Sequence, residues 1–418
     1  MPITDGTELV SPDYYGEHGP PHDLFTQLRA ESPVHLCESE DYDPFWAITR
    51  HEDICWISKH PEHFLNEPGI TLRPRSDDVE LDPTKGIGAM KTIIEMDPPR
   101  HREFRRVASP HFTPRVMRGL EPMVAESARN IVDGLAGTTG EGSCDFAVDV
   151  AAAHPLRIIS TILGVPREQE PVILDLTNQL LASDDSELGP KGEDRQQAIT
   201  ELGGRLYALF DGIIQDRRAN PRDDLASVLA NATIGGEPLG PVETFGYYLI
   251  TFTAGHDTTK NAIVGGMQAF LENPAELEKL RANLELVPSA VEEIVRWTSP
   301  VNMMKRTAAR DIEVAGKKIR KGDALVLLYA SANRDESVFE DPFEFRVDRN
   351  PNPHLAFGHG EHYCLGTHLA RRSQRALLRE LAGRLEHVET AGPADRIRSS
   401  LIVGYKHLPI RYRLASAC

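Results

Sequence analysis

Positive charge is under-represented in this chain: 46 Lys and Arg stand against 63 Asp and Glu, giving a formal net charge of −17. Nucleic acids are bound by basic surfaces that displace counterions, so this balance excludes them as the expected partner. Long apolar runs are missing too, and no membrane-spanning helix is expected without a stretch of about 18 apolar residues. The N-terminus, "MPITDGTELVSPDYYGEHGPPHDLF", lacks the basic start, apolar core and small-residue cleavage site of a secretion signal. Cysteine is scarce: Cys37, Cys55, Cys144, Cys364 and Cys418 are scattered, odd in number and unpaired in spacing. That excludes a disulfide scaffold and reads as reduced thiols in a cytoplasmic protein. Internal repeats and low-complexity linkers are also absent.

What is present is a globular composition, 40% hydrophobic and 26% charged over 418 residues. A chain this long buries roughly 75% of its unfolded surface. Apolar residues recur at helical spacing over 115–135, 153–164, 170–182, 196–218 and 241–272. After Cys364, the residues Leu365, Leu369, Leu377, Leu381 and Leu385 form one stripe, the expected buried face of a C-terminal helix. Strand-like pieces are short: "PFWAIT" (44–49), "IEVAGKKI" (312–319) and "ALVLLYA" (324–330), with "AGKKIRKGD" as a hairpin feeding the last. The expected fold is mainly α with a small β-rich portion, in a single domain over 1–418. Two loop-like segments, 67–92 and 183–194, have the composition of lids over a pocket.

The most constrained stretch is "FGHGEHYCLG" (357–366), with three glycines, two histidines and one cysteine. Gly358 and Gly360 suit a tight loop whose N–H groups point inward. Cys364 stands at the start of the leucine-striped helix, where the helix dipole favours a thiolate. Gly366 leaves room for a flat ligand to approach. Three chemistries are open to such a cysteine. A zinc site would draw on His354, His359, His362, Cys364 and His368, although zinc sites usually offer paired cysteines. A buried inert thiol is the general fate of a lone cysteine. The third is a haem iron ligand.

The pattern Phe-x-x-Gly-x-x-x-Cys-x-Gly, carried by Phe357, Gly360, Cys364 and Gly366, resembles the haem-binding signature of the cytochrome P-450 family. Other stretches match that family in its own order. "TAGHDTT" (253–259), inside the long helical pattern, is similar to its central-helix motif, with Gly255, Asp257 and Thr258 in place. A mid-helix Thr is able to bond back to a carbonyl four residues earlier and loosen the helix, with Gly255 leaving space for O₂ and water. The resemblance makes Asp257 and Thr258 the catalytic proton-handling pair. "EEIVR" carries Glu293 and Arg296, which in the family pair with an arginine of "DPFEFRVDR", here Arg349, in a structural role.

The resemblance also implies haem b with Cys364 as thiolate axial ligand, a ligand that favours O–O cleavage. Phe357, Gly358 and Gly366 would belong to its binding loop. His101 and Arg105 of "MDPPRHREFR", Arg306 of "MKRTA", and His362 would face its propionates. The implied activity is monooxygenation of an apolar small molecule, and "VRWTSPV" with "SANRD" resembles the bacterial branch acting on terpenes, sterols and alkyl chains. By family position, the substrate pocket would be lined by Gly88, Ala89, Ile250, Thr253, Ala254, Val301, Met304, Ile402 and Val403. His256 is expected to pack or hydrogen-bond rather than ligate. No flavin or iron–sulfur module is expected, so electrons would come from an acidic ferredoxin and its reductase. Arg371, Arg372 and Arg375, on the helix face away from the leucine stripe, form a basic patch for its docking. A peroxide-using haem enzyme and a haem sensor are the rival readings, and the Asp257–Thr258 pair disfavours both.

Overall fold

Thirty-two consecutive residues, Pro241–Glu272, form one helix through the middle of the molecule. Pro241 sits at its first turn, where no N–H is needed. Glu243 reaches back to accept the Gly240 N–H at 3.0 Å. At the far end the Asn273 side chain donates to the Ala269 carbonyl at 2.9 Å, and Pro274 opens the next helix. This is a computed structural model, and it describes residues 3–75, 91–137, 139–182, 184–190 and 195–415.

The central helix serves two apolar cores in succession. Phe245, Tyr248 and Phe252 of its first half pack with Ile159, Leu206 and Phe210. Ala262, Val264, Met267 and Phe270 of its second half pack with Val291, Ile294, Phe345, Leu377 and Leu381. The polar stretch from Thr253 to Asn261 therefore falls at the junction between the cores. A polar segment in mid-helix is costly there unless every group finds a partner, which makes the junction the place to look for chemistry.

The helices follow the sequence periodicity with local differences. The 115–135 pattern is divided into Pro114–Gly119 and Glu121–Ala136, because Pro122 begins a new first turn. Ala153–Ile162, Glu170–Leu181 and Arg195–Ala219 match their expected spans closely. The leucine-striped helix runs Thr367–Arg384. Leu369, Leu377, Leu381 and Leu385 are buried, whereas Leu365 precedes the helix and is only partly buried.

A five-stranded sheet lies to one side, in the spatial order Val34–Cys37, Phe45–Ile48, Ala324–Leu328, Met303–Ala308 and Phe64–Leu65. "ALVLLYA" leaves the sheet early, turning into the short helix Tyr329–Ala332. "IEVAGKKI" is two strands, Ile312–Val314 and Lys317–Ile319, rather than one. Ala315 and Gly316 carry positive φ angles of 45° and 78° and make the tight hairpin turn between them. A second sheet joins Leu385–Thr390, Pro409–Leu414 and Glu141–Asp145. Pro409–Leu414 alternates cleanly, with Ile410, Tyr412 and Leu414 buried and Arg411 and Arg413 exposed, a period-two signal that the sequence expectation missed. Of the two lid-like segments, 76–90 and 191–194 lie outside the described residues, and so do Gly88 and Ala89. Among the described residues no helix is long and apolar enough to cross a membrane.

Candidate functional site

The cysteine loop is built by close approach. Gly358 N–H donates to Leu355 O at 2.8 Å, and Cys364 N–H donates to Phe357 O at 2.9 Å. Gly360 has φ +72°, and a Cβ there would lie 2.1 Å from Ser58 O of the helix His51–Lys59. Only glycine lets the loop lie against that backbone. Cys364 comes three residues before the helix Thr367–Arg384, and the Gly366 N–H points at its sulfur. Burial pushes the Cys364 thiol up, opposed by that N–H and by Arg105 and Arg371. The zinc reading fails: among the described residues no group of three or more His, Cys, Asp or Glu is placed to hold a metal ion. His354 instead faces Glu292 at 3.3 Å.

Beside the loop, four basic groups converge. The rings of His101 and His362 lie 4.0 Å apart. Arg105 Nη2 donates to Tyr363 O at 2.6 Å, and Arg306 Nη1 donates to Lys305 O at 2.8 Å. Burial, then His101, Arg306 and Arg105, hold His362 down to about 2. His101 is lowered by burial and by Arg105. Its Nδ1 and the Nε2 of His362 are buried without a hydrogen-bond partner. The nearest carboxylate, Glu361, is 3.5 Å from His101 and is already paired with Arg102 at 2.9 Å. A partly buried basic cluster with orphaned nitrogens and so little counter-charge fits a ligand that brings its own carboxylates, as haem does.

On the central helix, Ile250, Ala254 and Thr258 form an i, i+4, i+8 stripe that is not fully buried, in contrast to most residues around it. Thr258 Oγ1 donates back to Ala254 O at 2.7 Å. The helix stays α-helical throughout, because a carbonyl has two lone pairs and accepts the hydroxyl beside the ladder N–H. The expected loosening is therefore not seen. Gly255 also departs from expectation: a Cβ there would lie 2.9 Å from Ile159 Cδ1, so the glycine admits a neighbouring helix rather than O₂. His256 is fully buried, with Nε2 3.3 Å from Ala152 O. Asp257 is buried off the open stripe, 2.6 Å from Lys260 Nζ and 3.1 Å from Asn261 Nδ2. Sequence reasoning missed both partners, although "DTTKN" carries them at i+3 and i+4.

Val301, Met304, Ile402 and Val403 of the expected substrate wall lie on other elements. Val301 and Ile402 form an isolated antiparallel bridge, and Val403 N–H donates to Pro300 O at 2.9 Å. Met304 is half-buried on the neighbouring strand. Thr253 is buried with its hydroxyl given to Leu249 O at 2.9 Å, leaving only its methyl for packing.

The loop is carried by two adjacent carboxylates on the helix Val287–Thr298. Glu293, fully buried, accepts from Arg296 Nε and Nη2 at 2.7 Å each and from Arg349 Nε at 3.1 Å. Arg346 N–H and Asn352 Nδ2 also donate to it. Glu292, unremarked in the sequence, faces the other way. It accepts from Nε and Nη2 of Arg371, at 2.7 Å each. The same guanidinium lies 4.6 Å over the Phe357 ring. Arg371 is therefore a brace of the cysteine loop and not a free cation. Arg372 pairs with Glu121, and Arg375 lies 3.5 Å from Glu292. The basic stripe read from the sequence is thus largely answered by acids of the same chain.

The family model for cytochrome P450 matches residues 39–387. This chain belongs to the cytochrome P450 family. Membership implies a haem with a cysteine thiolate ligand and a monooxygenase activity. The P450 is 36% identical over 416 residues to the Cytochrome P450-terp of a Pseudomonas species, covering 97% of each chain. It is 35% identical to the methyl-branched lipid omega-hydroxylase of Mycobacterium tuberculosis, covering 99% of this chain and 96% of that one. The crystal structure of CYP108D1 from Novosphingobium aromaticivorans matches with a TM-score of 0.88 at 36% identity, covering 98% of both chains.

Glu292 makes the brace testable by pH. Burial pushes it up, but His354 and Arg371 outweigh this and hold it down from 4.5 to about 2. A depressed carboxylate stabilises fully above its unfolded value and loses that contribution as pH falls through the folded one. Its share is on the order of 3 kcal/mol. The stability gap between this P450 and its Glu292→Gln variant, measured by denaturant unfolding, is expected to be widest near neutrality. It should close as pH falls from 4.5 towards about 2. A gap independent of pH would show that the Glu292 charge does not brace the loop.

Proposed function

We propose that this P450 hydroxylates an apolar small molecule of the terpenoid, steroid or alkyl-lipid class, with Cys364 as the haem ligand. The observation that carries the reading is the convergence of the His101, Arg105, Arg306 and His362 cluster on the glycine-built cysteine loop. Those four residues would hold the two haem propionates, and Phe357, Gly358 and Gly366 would frame the sulfur. Bound there, the haem supplies O₂ activation: one oxygen atom enters a substrate C–H bond and the other leaves as water, consuming two electrons and two protons.

The remaining work belongs to the chain. Ile250, Ala254, Val301, Met304, Ile402 and Val403 offer an aliphatic wall that excludes water and holds substrate by area rather than by hydrogen bonds. A relative named for omega-hydroxylation of methyl-branched lipids fits that chemistry. The Thr258 hydroxyl, on the open stripe, would hold or hand on a proton, with the neighbouring Asp257 as its acid. A ferredoxin and its reductase would deliver the electrons. Arg372 and Arg375 belong to the docking face.

The decisive measurement is the absorbance difference of the dithionite-reduced protein with and without carbon monoxide. A Soret band strongly red-shifted from that of histidine-ligated haem is expected, and it should disappear in Cys364→Ala. A band at the histidine-type position in the unmodified protein would remove Cys364 as ligand. Thr258→Ala is expected to divert most of the reducing equivalents to hydrogen peroxide, costing roughly 10²-fold in coupled product formation. Full coupling in that variant would take Thr258 out of the relay. Charge reversal at Arg372 and Arg375 together should slow ferredoxin-supported turnover while leaving dithionite reduction intact. An unaltered rate would exclude them from docking.

A further inference from the structure

We propose that Glu292 is a positioning residue that acts on the iron site through Arg371: the pair, set beside Phe357, cancels a permanent positive charge near the Cys364 sulfur and so sets the reduction potential of the iron that the sulfur would hold. The inference rests on the reading of Cys364 as the haem thiolate. It concerns the charge of the pair, beyond its bracing of the loop.

Two cations reach the cysteine loop from different helices. Arg105, on the helix Arg100–Ala108, donates to Tyr363 O and belongs to the cluster that would face the propionates. Arg371, on the helix Thr367–Arg384, has its guanidinium carbon 4.6 Å from the centre of the Phe357 ring. Burial pushes the Cys364 thiol up, and the Gly366 N–H, Arg105 and Arg371 act against it. The ring beneath Arg371 belongs to the residue whose carbonyl accepts the Cys364 N–H at 2.9 Å. A haem carboxylate would answer Arg105. Arg371 is answered from within the chain.

The answer is a bidentate pair. Glu292 Oε1 accepts from Nε and Oε2 from Nη2, at 2.7 Å each. The third nitrogen, Nη1, donates to Thr367 Oγ1 at 2.8 Å, so the guanidinium is fixed in its plane over the ring. Burial pulls Arg371 down, and the Glu292 fork outweighs it and raises it, so the cation is permanent. On the other side of Glu292, His354 Nδ1 accepts the Ala356 N–H at 3.3 Å. That leaves a proton on Nε2, 3.3 Å from Glu292 Oε2, and His354 holds the carboxylate without needing a charge of its own. Arg375 lies farther out, at 3.5 Å, where its exposure lets solvent screen it. Arg371 is therefore the cation that Glu292 chiefly cancels.

A cation beside a thiolate ligand draws electron density from the sulfur and favours the reduced iron, and an anion does the reverse. The two members of the pair therefore push the potential in opposite directions. A purely mechanical brace would not: loosening the loop from either side would move the potential the same way or leave it alone. That difference in sign separates the electrostatic role from the structural one.

The test is a potentiometric titration of the haem-loaded protein with dithionite and chemical mediators, which needs no ferredoxin. It compares the native protein with Glu292→Gln, Arg371→Gln, Arg371→Lys and the double variant Glu292→Gln, Arg371→Gln, each first checked for the red-shifted carbon monoxide band. Glu292→Gln should raise the ferrous-to-ferric ratio at fixed potential by about tenfold, which is about 59 mV for one electron. Arg371→Gln should lower it by a similar factor. The stretching frequency of iron-bound carbon monoxide should rise in the first and fall in the second, as the sulfur becomes a weaker or a stronger donor. The double variant leaves no lone charge and Arg371→Lys keeps the charge without the fork, so both should stay within about threefold of native. Single variants that shift the ratio in the same direction, or leave it unmoved, would make the pair a brace only and overturn the proposal. Should a single variant fail to fold with haem, the double variant and Arg371→Lys decide: native-like potentials uphold the proposal, and a displacement of either by about tenfold overturns it. If the native protein itself lacks the red-shifted band, the reading of Cys364 has failed, and the inference falls with it for that separate reason.

Discussion

A buried negative charge has to be answered at once and from close by, and this structure rests on two of them side by side. Glu292 and Glu293 are neighbours on one helix and face opposite directions. Glu293 gathers Arg296 and Arg349, and through their remaining nitrogens the carbonyls of Asn333, Glu340, Asp341, Pro342 and Glu344. Removing one partner from such a set costs about 3–5 kcal/mol, because the others are left charged in a poor dielectric. Glu292 gathers Arg371 and His354, and Arg371 covers Phe357. Between them the two carboxylates fix the irregular segment that leads into the cysteine loop, which has little regular secondary structure of its own to hold it.

The two sides of the site use opposite electrostatics. The cysteine side collects His101, Arg105, Arg306 and His362 with too few acids, and its orphaned nitrogens mark where a carboxylate-bearing cofactor fits. The central-helix side keeps its acid, Asp257, supplied with a cation and an amide from its own helix. One side is incomplete without a ligand and the other is complete without one.

Much of this was legible in the sequence. The long apolar periodicity around residues 241–272 required a helix buried on nearly every side, and the leucine spacing after Cys364 required a helix with one buried face. The glycines of the cysteine loop were readable because only glycine adopts φ near +72° without strain. Family order located the basic residues around that loop. The errors came where a residue type permits two outcomes. Gly255 was read as space, and Ile159 from another helix fills it. Arg371 was read as a free surface cation, yet an acid 79 positions earlier in the chain accepts from its Nε and Nη2. Thr258 was read as loosening the helix, yet its hydroxyl shares a carbonyl with the ladder.

By itself, then, the sequence determined what depends on neighbours along the chain: helical faces, glycine turns, the order of motifs and the presence of one chemically special cysteine. The tertiary structure alone decided which charges meet. Coulomb interactions and hydrogen bonds act over a few ångströms of space without regard to chain separation. The pairing of Arg371 with Glu292, of Arg349 with Glu293, and the meeting of His101 with His362 were settled by packing. Even the Lys260–Asp257 pair, three residues apart, is a buried ion pair only because the surrounding cores enclose it. Burial removes the competing water, and that is a property of the fold rather than of the four residues from Asp257 to Lys260.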